Sequence, residues 1–239
     1  MGKVFTAILR NRLLDWAEAN GKLCESQFGF RQGRQTTDAV FVIATAIQSF
    51  KKRKKPLFTC FIDFAKAFDS VNHKLLWEIL ATMGVSTKIL NILKSMYANA
   101  TSRVTINNNT SSSFPCLKGV RQGCNLSPLL FSLFINDLES HLSSNVAGNI
   151  TLANRKVQLL LFADDVVLLA DSNKGLQESI DRLTKFCKAW KLNINVDKTK
   201  VVIFNRKQHV HQVPLTLDGM KLEYATSYKY LGIVLSSNG

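Results

Sequence analysis

The chain has 239 residues, 46% hydrophobic and 20% charged, and its 31 Lys and Arg against 17 Asp and Glu leave a net charge of +14. That is enough apolar material for one large domain or two small ones, which excludes a disordered chain. No apolar run reaches the roughly 18 residues of a membrane-spanning helix, and Met1-Gly2-Lys3-Val4-Phe5 lacks the layout of a signal peptide. The basic balance points to a polyanionic partner, nucleic acid above all. Five widely separated cysteines without a C-x-x-C pair read as free thiols in a reducing compartment, with neither a disulfide frame nor a zinc site.

No internal repeat is present, so the chain is not a solenoid. Val4, Ile8, Leu9, Leu13 and Trp16 are spaced as one helical face, and Val40, Ile43, Ala44 and Ile47 form a second. The run Lys51-Lys52-Arg53-Lys54-Lys55, closed by Pro56, reads as a solvated loop. Leu57 to Phe64 is short, aromatic-rich and apolar, as a buried strand is. Helices follow from Val71 to Met83, stopped by Gly84, and from a Ser86 cap to about Ala98. Thr101 to Ile106 alternates as a strand and leads through the polar Asn107 to Ser113 into another. Ser127-Pro128 opens a helix carrying Leu130, Phe131, Phe134, Ile135 and Leu138, with proline in the first turn, where it is tolerated. Apolar strands from Val157 to Phe162 and from Val166 to Ala170 flank Ala163-Asp164-Asp165, a hairpin with acids at its tip. Ser172 is placed to cap a helix reaching about Trp190, and short strands fall near 200–204, 215–223 and 229–235. Mixed elements with antiparallel hairpins favour an α+β fold over a doubly wound sheet.

Asp63 ends one apolar strand, and Asp164 and Asp165 end another far downstream. Ionised carboxylates beside long apolar runs are costly unless a cation or hydrogen bonds compensate them. A hard divalent ion, which takes carboxylate oxygens together with substrate phosphates, is one such compensation; a plain turn or strand cap is the other reading of the same residues. His209 and His211 form an H-x-H pair without an evident third ligand, so a solvated loop is expected there. Met83, Met96 and Met220 read as core filler.

Three stretches stand in order: Phe61-Ile62-Asp63-Phe64-Ala65-Lys66-Ala67-Phe68-Asp69, Lys118-Gly119-Val120-Arg121-Gln122-Gly123-Cys124-Asn125-Leu126-Ser127-Pro128, and Phe162-Ala163-Asp164-Asp165. Gln27-Phe28-Gly29-Phe30-Arg31-Gln32-Gly33-Arg34 precedes them; Leu192 to Lys200 and Tyr228-Lys229-Tyr230-Leu231-Gly232 follow. Together they resemble a reverse transcriptase of the LINE type, from retrotransposons without long terminal repeats.

The resemblance implies a right-hand polymerase palm, an antiparallel sheet with packed helices. Residues 1–56 would form partial fingers and 57–239 the palm, with finger-derived elements near 85–118 and an end at the primer-grip hairpin. Upstream fingers strands, a helical thumb and fused endonuclease regions are expected to be missing from this stretch. The implied activity is RNA-directed DNA polymerisation on an RNA template, a DNA primer and dNTPs. Its cofactor would be two Mg²⁺ ions, with Mn²⁺ a possible substitute. Asp63, Asp164 and Asp165, with the Phe64 carbonyl, would hold the ions. Phe68 would be the steric gate against a 2′-hydroxyl. Gln122 and Gly123 would meet the nucleotide, and Lys198 or Lys200 the triphosphate. Arg31, Arg34 and Arg121 would meet template or phosphate, ion pairing being the alternative for the first two. Tyr230, Leu231 and Gly232 would form the primer grip. The resemblance also implies an intracellular, nuclear location, and leaves oligomeric state open. A truncated or domesticated remnant that binds nucleic acid without copying it is the alternative reading.

Overall fold

The computed structural model describes residues 2–143, 148–205 and 213–238. His209 and His211 lie outside the described residues. The chain opens with helices α1 (Gly2–Ala19) and α2 (Thr36–Lys52), then strand β1 (Leu57–Asp63). A short α3 (Ala67–Ser70) precedes α4 (His73–Met83) and α5 (Thr87–Ala98). An exposed arm carries β2 (Thr101–Ser102), β3 (Thr105–Ile106), β4 (Asn109–Thr110) and β5 (Phe114–Pro115). Helices α6 (Ser127–Phe134) and α7 (Leu138–Ser143) lead to β6 (Ile150–Leu152), β7 (Arg155–Val157), β8 (Leu159–Phe162) and β9 (Asp165–Ala170). After α8 (Asn173–Trp190) come β10 (Lys200–Phe204), β11 (Thr216–Leu217), β12 (Met220–Lys221), β13 (Glu223–Tyr224), β14 (Ser227–Tyr230) and β15 (Ile233–Ser236).

Local chemistry accounts for the helix ends. Asn72 accepts a hydrogen bond from the Leu75 N–H, Ser86 from that of Ile89 and Ser172 from that of Gly175, each satisfying one of the free donors of a first turn. The Asp38 carboxylate accepts the Gln35 N–H at the start of α2.

Five strands form the central sheet in the order β13-β10-β1-β9-β8, antiparallel except for the β10–β13 pair. Alternation in β1 splits the core between the two faces. Phe58, Cys60 and Ile62 join a large apolar cluster with α1, α4, α6, α7 and α8, while Leu57 and Phe61 pack with α2 and Tyr230 on the other side. Among the described residues, those before β1 have no core of their own, since α1 and α2 each contribute to a cluster shared with the sheet. No helix of the described residues is long and apolar enough to cross a membrane.

Several expectations need correction. In α1 the buried positions are Thr6, Leu9, Leu13, Leu14 and Ala17, while Val4 and Ile8 face solvent. The helix is right, but its packed face is rotated toward Thr6, Leu14 and Ala17. Thr101 to Ile106 is two separate two-residue ladders rather than one strand, with every residue exposed and no surface to bury against. The helix from Ser127 stops at Phe134, and Leu138 begins another. Val157 and Leu159 belong to different hairpins. Met83 and Met96 pack against the core, whereas Met220, at the tip of the β11–β12 hairpin, is 53% exposed.

Candidate active site

Asp63 is the last residue of β1 and Asp165 the first of β9, and the ladder sets them directly opposite each other. Facing residues in an antiparallel pair project to the same side with Cβ atoms about 5 Å apart, where like charges destabilise the pair. Asp164 adds a third carboxylate in the two-residue turn between β8 and β9, where Ala163 takes a left-handed φ of 54°. Burial, opposed by a hydrogen bond from its own backbone and reinforced by the charge of Asp63, raises the Asp164 pKa. Burial first, then the charges of Asp164 and Asp63, pushes that of Asp165 up to about 6. Among the described residues, no lysine, arginine or histidine ion-pairs with any of the three.

The backbone around Asp63 is held from the motif that follows α8. Its C=O accepts the Asn195 N–H at 2.7 Å, and its N–H donates to the hydroxyl of the buried Thr199 at 3.3 Å. Phe64 faces Ile194 in an isolated bridge whose hydrogen bonds belong to Asp63 and Ala65, so the Phe64 carbonyl is not used by that bridge. These carboxylates suit a divalent cation. They are crowded, mutually repelling and, among the described residues, without a basic partner. Among the described residues no group of three or more His, Cys, Asp or Glu is arranged to hold a metal ion by itself, and a hard divalent ion bound by one or two carboxylates draws its remaining ligands from waters and substrate phosphates.

Phe68 packs its ring against Phe131, with centroids 5.0 Å apart. It also lines a cavity of about 480 Å³ with Phe30, Gln122, Gly123, Cys124 and Asn125. The 119–123 loop is laced to the segment after β1: Gly119 N–H donates to Val71, Val120 N–H donates to Phe68, and Gln122 donates its amide to Asp69 at 3.2 Å. Gly119 has φ +89°, and a Cβ there would sit 2.9 Å from the Asp69 carbonyl oxygen, so only glycine fits this approach. Arg121 donates to the Met96 carbonyl and lies over the Tyr97 ring.

The remaining expected site residues separate clearly. Lys200 pairs with Glu223, and its register partner is Phe61, two residues before Asp63 on the strand. Lys198 is exposed, has no ion pair among the described residues and lies at the Asp63 end of β10. Arg31 makes a two-pronged ion pair with Glu18, donates to the Cys24 carbonyl, and has only 9% of its side chain exposed. The structure thus contains the ion pair that is the alternative for Arg31. Arg34 is likewise paired, to Glu25. Tyr230 is buried beside Phe61, and Tyr228 stacks on Phe61 at 4.2 Å. Leu231 and Gly232 form the β14–β15 turn with φ values of 45° and 88°, the positive pair of a type I′ hairpin. Burial, then the charges of Asp165 and Asp63, raises the Tyr228 pKa.

A site residue that sequence reading passes over is Gln27. It is fully buried, and its side-chain oxygen accepts hydrogen bonds from the Gly29 N–H at 2.9 Å and the Ala163 N–H at 3.4 Å. Thr199 is another. Both stand inside stretches already notable for their neighbours, but nothing local marks either as touching a carboxylate strand.

A mixed α/β fold whose central sheet carries facing carboxylates at a strand end and a hairpin turn is consistent with the palm of a nucleic-acid polymerase. The family model described as reverse transcriptase (RNA-dependent DNA polymerase) matches residues 1–235, and the chain belongs to that family. It is 33% identical, over 98% of its length, to the probable RNA-directed DNA polymerase from transposon BS of Drosophila melanogaster, of which it covers 26%. It is 30% identical over 98% of its length to the RNA-directed DNA polymerase from mobile element jockey of Drosophila funebris, again covering 26%. With the Pol polyprotein from type-1 retrotransposable element R2 of Nasonia vitripennis it shares 28% identity over 98% of its length and 23% of that protein. These relatives are polymerases of retrotransposons without long terminal repeats, and the chain spans about a quarter of their length. Among solved structures, apo telomerase from Candida Tropicalis superposes with a TM-score of 0.64 at 14% identity, over 99% of this chain and 44% of that one. Telomerase from Candida albicans gives 0.62 at 15% identity, over 98% of this chain and 36% of that one. At such identities the likeness concerns the fold.

Proposed function

We propose that this chain is the catalytic palm and partial fingers of a retrotransposon RNA-directed DNA polymerase, acting in the nucleus on an RNA template, a DNA primer and dNTPs. The observation that carries the reading is the direct opposition of Asp63 and Asp165 beside Asp164, without a basic partner among the described residues. A sheet that tolerates facing like charges is arranged for a cation rather than for its own stability.

Asp63, Asp164 and Asp165, with the Phe64 carbonyl, would hold two divalent ions, Mg²⁺ or in its place Mn²⁺. When bound, the ions supply charge neutralisation at the attacking hydroxyl, the transferring phosphate and the leaving pyrophosphate. The primer 3′-hydroxyl attacks the α-phosphate of the dNTP in line, and the bond to pyrophosphate breaks as the new phosphodiester forms. Phe68, braced by Phe131, lies under the sugar and excludes a 2′-hydroxyl. Gln122 and Gly123 line the same cavity and bound the nucleotide. Lys198 is the cation for the triphosphate, since Lys200 is committed to Glu223. Arg121 and Arg34 border the template path, and the Leu231-Gly232 turn below Tyr230 seats the primer end. Residues 1–56 belong to the fingers and 57–239 to the palm.

Primer extension on an RNA template tests this reading. Asp164→Asn should lower dNTP incorporation by about 10²–10³-fold, as removal of a charge-stabilising group does. Incorporation equal to that of the unsubstituted chain would refute it.

A further inference from the structure

We propose that Gln27 and Gly29 are positioning residues that set the Ala163-Asp164 turn, and through it the carboxylate of Asp164. The inference rests on the reading of Asp164 as a metal-holding residue.

Residues 26–28 run alongside β8 at the free edge of the sheet. Leu161 N–H donates to Ser26 at 2.8 Å, and Phe28 N–H donates to Leu161 at 2.7 Å, in a parallel bridge centred on Gln27. Beyond this rung the backbone meets the turn itself. A Cβ on Gly29 would stand 2.5 Å from the Ala163 nitrogen and 3.0 Å from the Phe162 carbonyl carbon, so the segment touches the turn with no room for a side chain. The Gln27 side-chain oxygen receives both the Gly29 and the Ala163 N–H groups, tying the segment and the turn to one acceptor.

The Gln27 amide nitrogen is buried without a hydrogen-bond partner among the described residues. A residue selected for packing alone would be apolar here, because a buried unpaired amide is unfavourable. What the amide uniquely provides is the acceptor for Ala163. That residue is a non-glycine in the left-handed region, a conformation that persists where surrounding structure enforces it.

The segment is in turn anchored at several points. Arg31 grips Glu18 of α1 and the Cys24 carbonyl, Arg34 grips Glu25, Cys24 N–H donates to Asn136, and Ser26 donates to Glu139 of α7 at 2.6 Å. Phe30 lies 6.1 Å from the Phe162 ring, beside the turn. The segment from Cys24 to Arg34 is therefore a brace, whose two arginines hold the brace and whose Gln27 and Gly29 hold the turn.

The test measures Mn²⁺ binding by water-proton relaxation in the full 239-residue chain, beside melting temperature and primer extension resolved into kcat and KM. Gly29→Ala should weaken Mn²⁺ binding at least about tenfold, as loss of a group that orients a ligand does. It should lower kcat about 10²-fold, the effect of a displacement near 1 Å, with KM for dNTP nearly unchanged. Gln27→Met keeps the volume and removes the acceptor, and should do the same; it carries the test if Gly29→Ala does not fold. Gln27→Glu keeps an acceptor oxygen and should recover most of the Mn²⁺ affinity. Unchanged Mn²⁺ binding and kcat in Gly29→Ala and Gln27→Met, or equal losses in Gln27→Met and Gln27→Glu, overturn the proposal while leaving the polymerase reading intact. An unsubstituted chain that neither binds Mn²⁺ nor responds to Asp164→Asn overturns both.

Discussion

Replacing Asp165 by Asn should stabilise the chain while impairing its chemistry. Asp165 faces Asp63 across a ladder rung and adjoins Asp164 in sequence. Two unit charges about 5 Å apart repel by about 1 kcal/mol in water-like surroundings. Asp165 reaches solvent, so screening leaves roughly 0.5–1 kcal/mol, the range measured for facing pairs. For a domain of this size that corresponds to a rise in melting temperature of roughly 1–4 °C. The pH dependence follows from burial first and then from the same repulsion. Burial and the two neighbouring carboxylates push the Asp165 pKa up to about 6, above the ordinary carboxylate value. The folded chain thus holds this proton more tightly than the unfolded chain does. The associated stability is complete below the ordinary carboxylate pKa and is lost as pH rises through about 6. Calorimetric melting in EDTA between about pH 4 and 6.5 should show the unsubstituted chain losing this stability and Asp165→Asn losing less. Added Mg²⁺ should raise the melting temperature of the unsubstituted chain more than that of the variant. A variant that melts lower at pH 7.5, or keeps the same pH slope, would refute the reasoning.

Two further predictions follow from packing. Phe68→Ala should admit ribonucleotides in primer extension, because its ring lines the cavity shared with Gln122; unchanged sugar selectivity would leave Phe68 a core residue braced on Phe131. Burial pushes the thiols of Cys24 and Cys187 up to about 12 and that of Cys60 well above its usual range. A thiol reagent at pH 8, which consumes thiolate, should therefore label Cys116 and Cys124 in the folded chain and reach the other three only on unfolding, as peptide mapping would show.

Helix starts were readable in the sequence because capping is local: Ser86 and Ser172 lie within three residues of the donors they satisfy. The carboxylates were readable for another reason, since acids at the ends of apolar strands advertise an unpaid desolvation cost. The face that α1 buries was not readable, because apolar spacing gives a stripe without saying where along the helix the core begins. Arg31 shows the same gap. Nothing in Q-F-G-F-R names Glu18 as the partner that takes its guanidinium, and either partner, phosphate or carboxylate, suits an arginine equally.

By itself, the order of motifs along the chain determined which family this is, which strands carry acids and which helices begin where. Those properties are carried by residues within a few positions of one another. Only the tertiary structure decided that Asp63 and Asp165 stand face to face, that Thr199 holds the one and that Gln27 holds the turn beside the other. Each of these contacts closes a loop of 100 residues or more, and their geometry depends on sheet register and on where a glycine lets two backbones touch. Neither quantity is written in any single stretch of sequence.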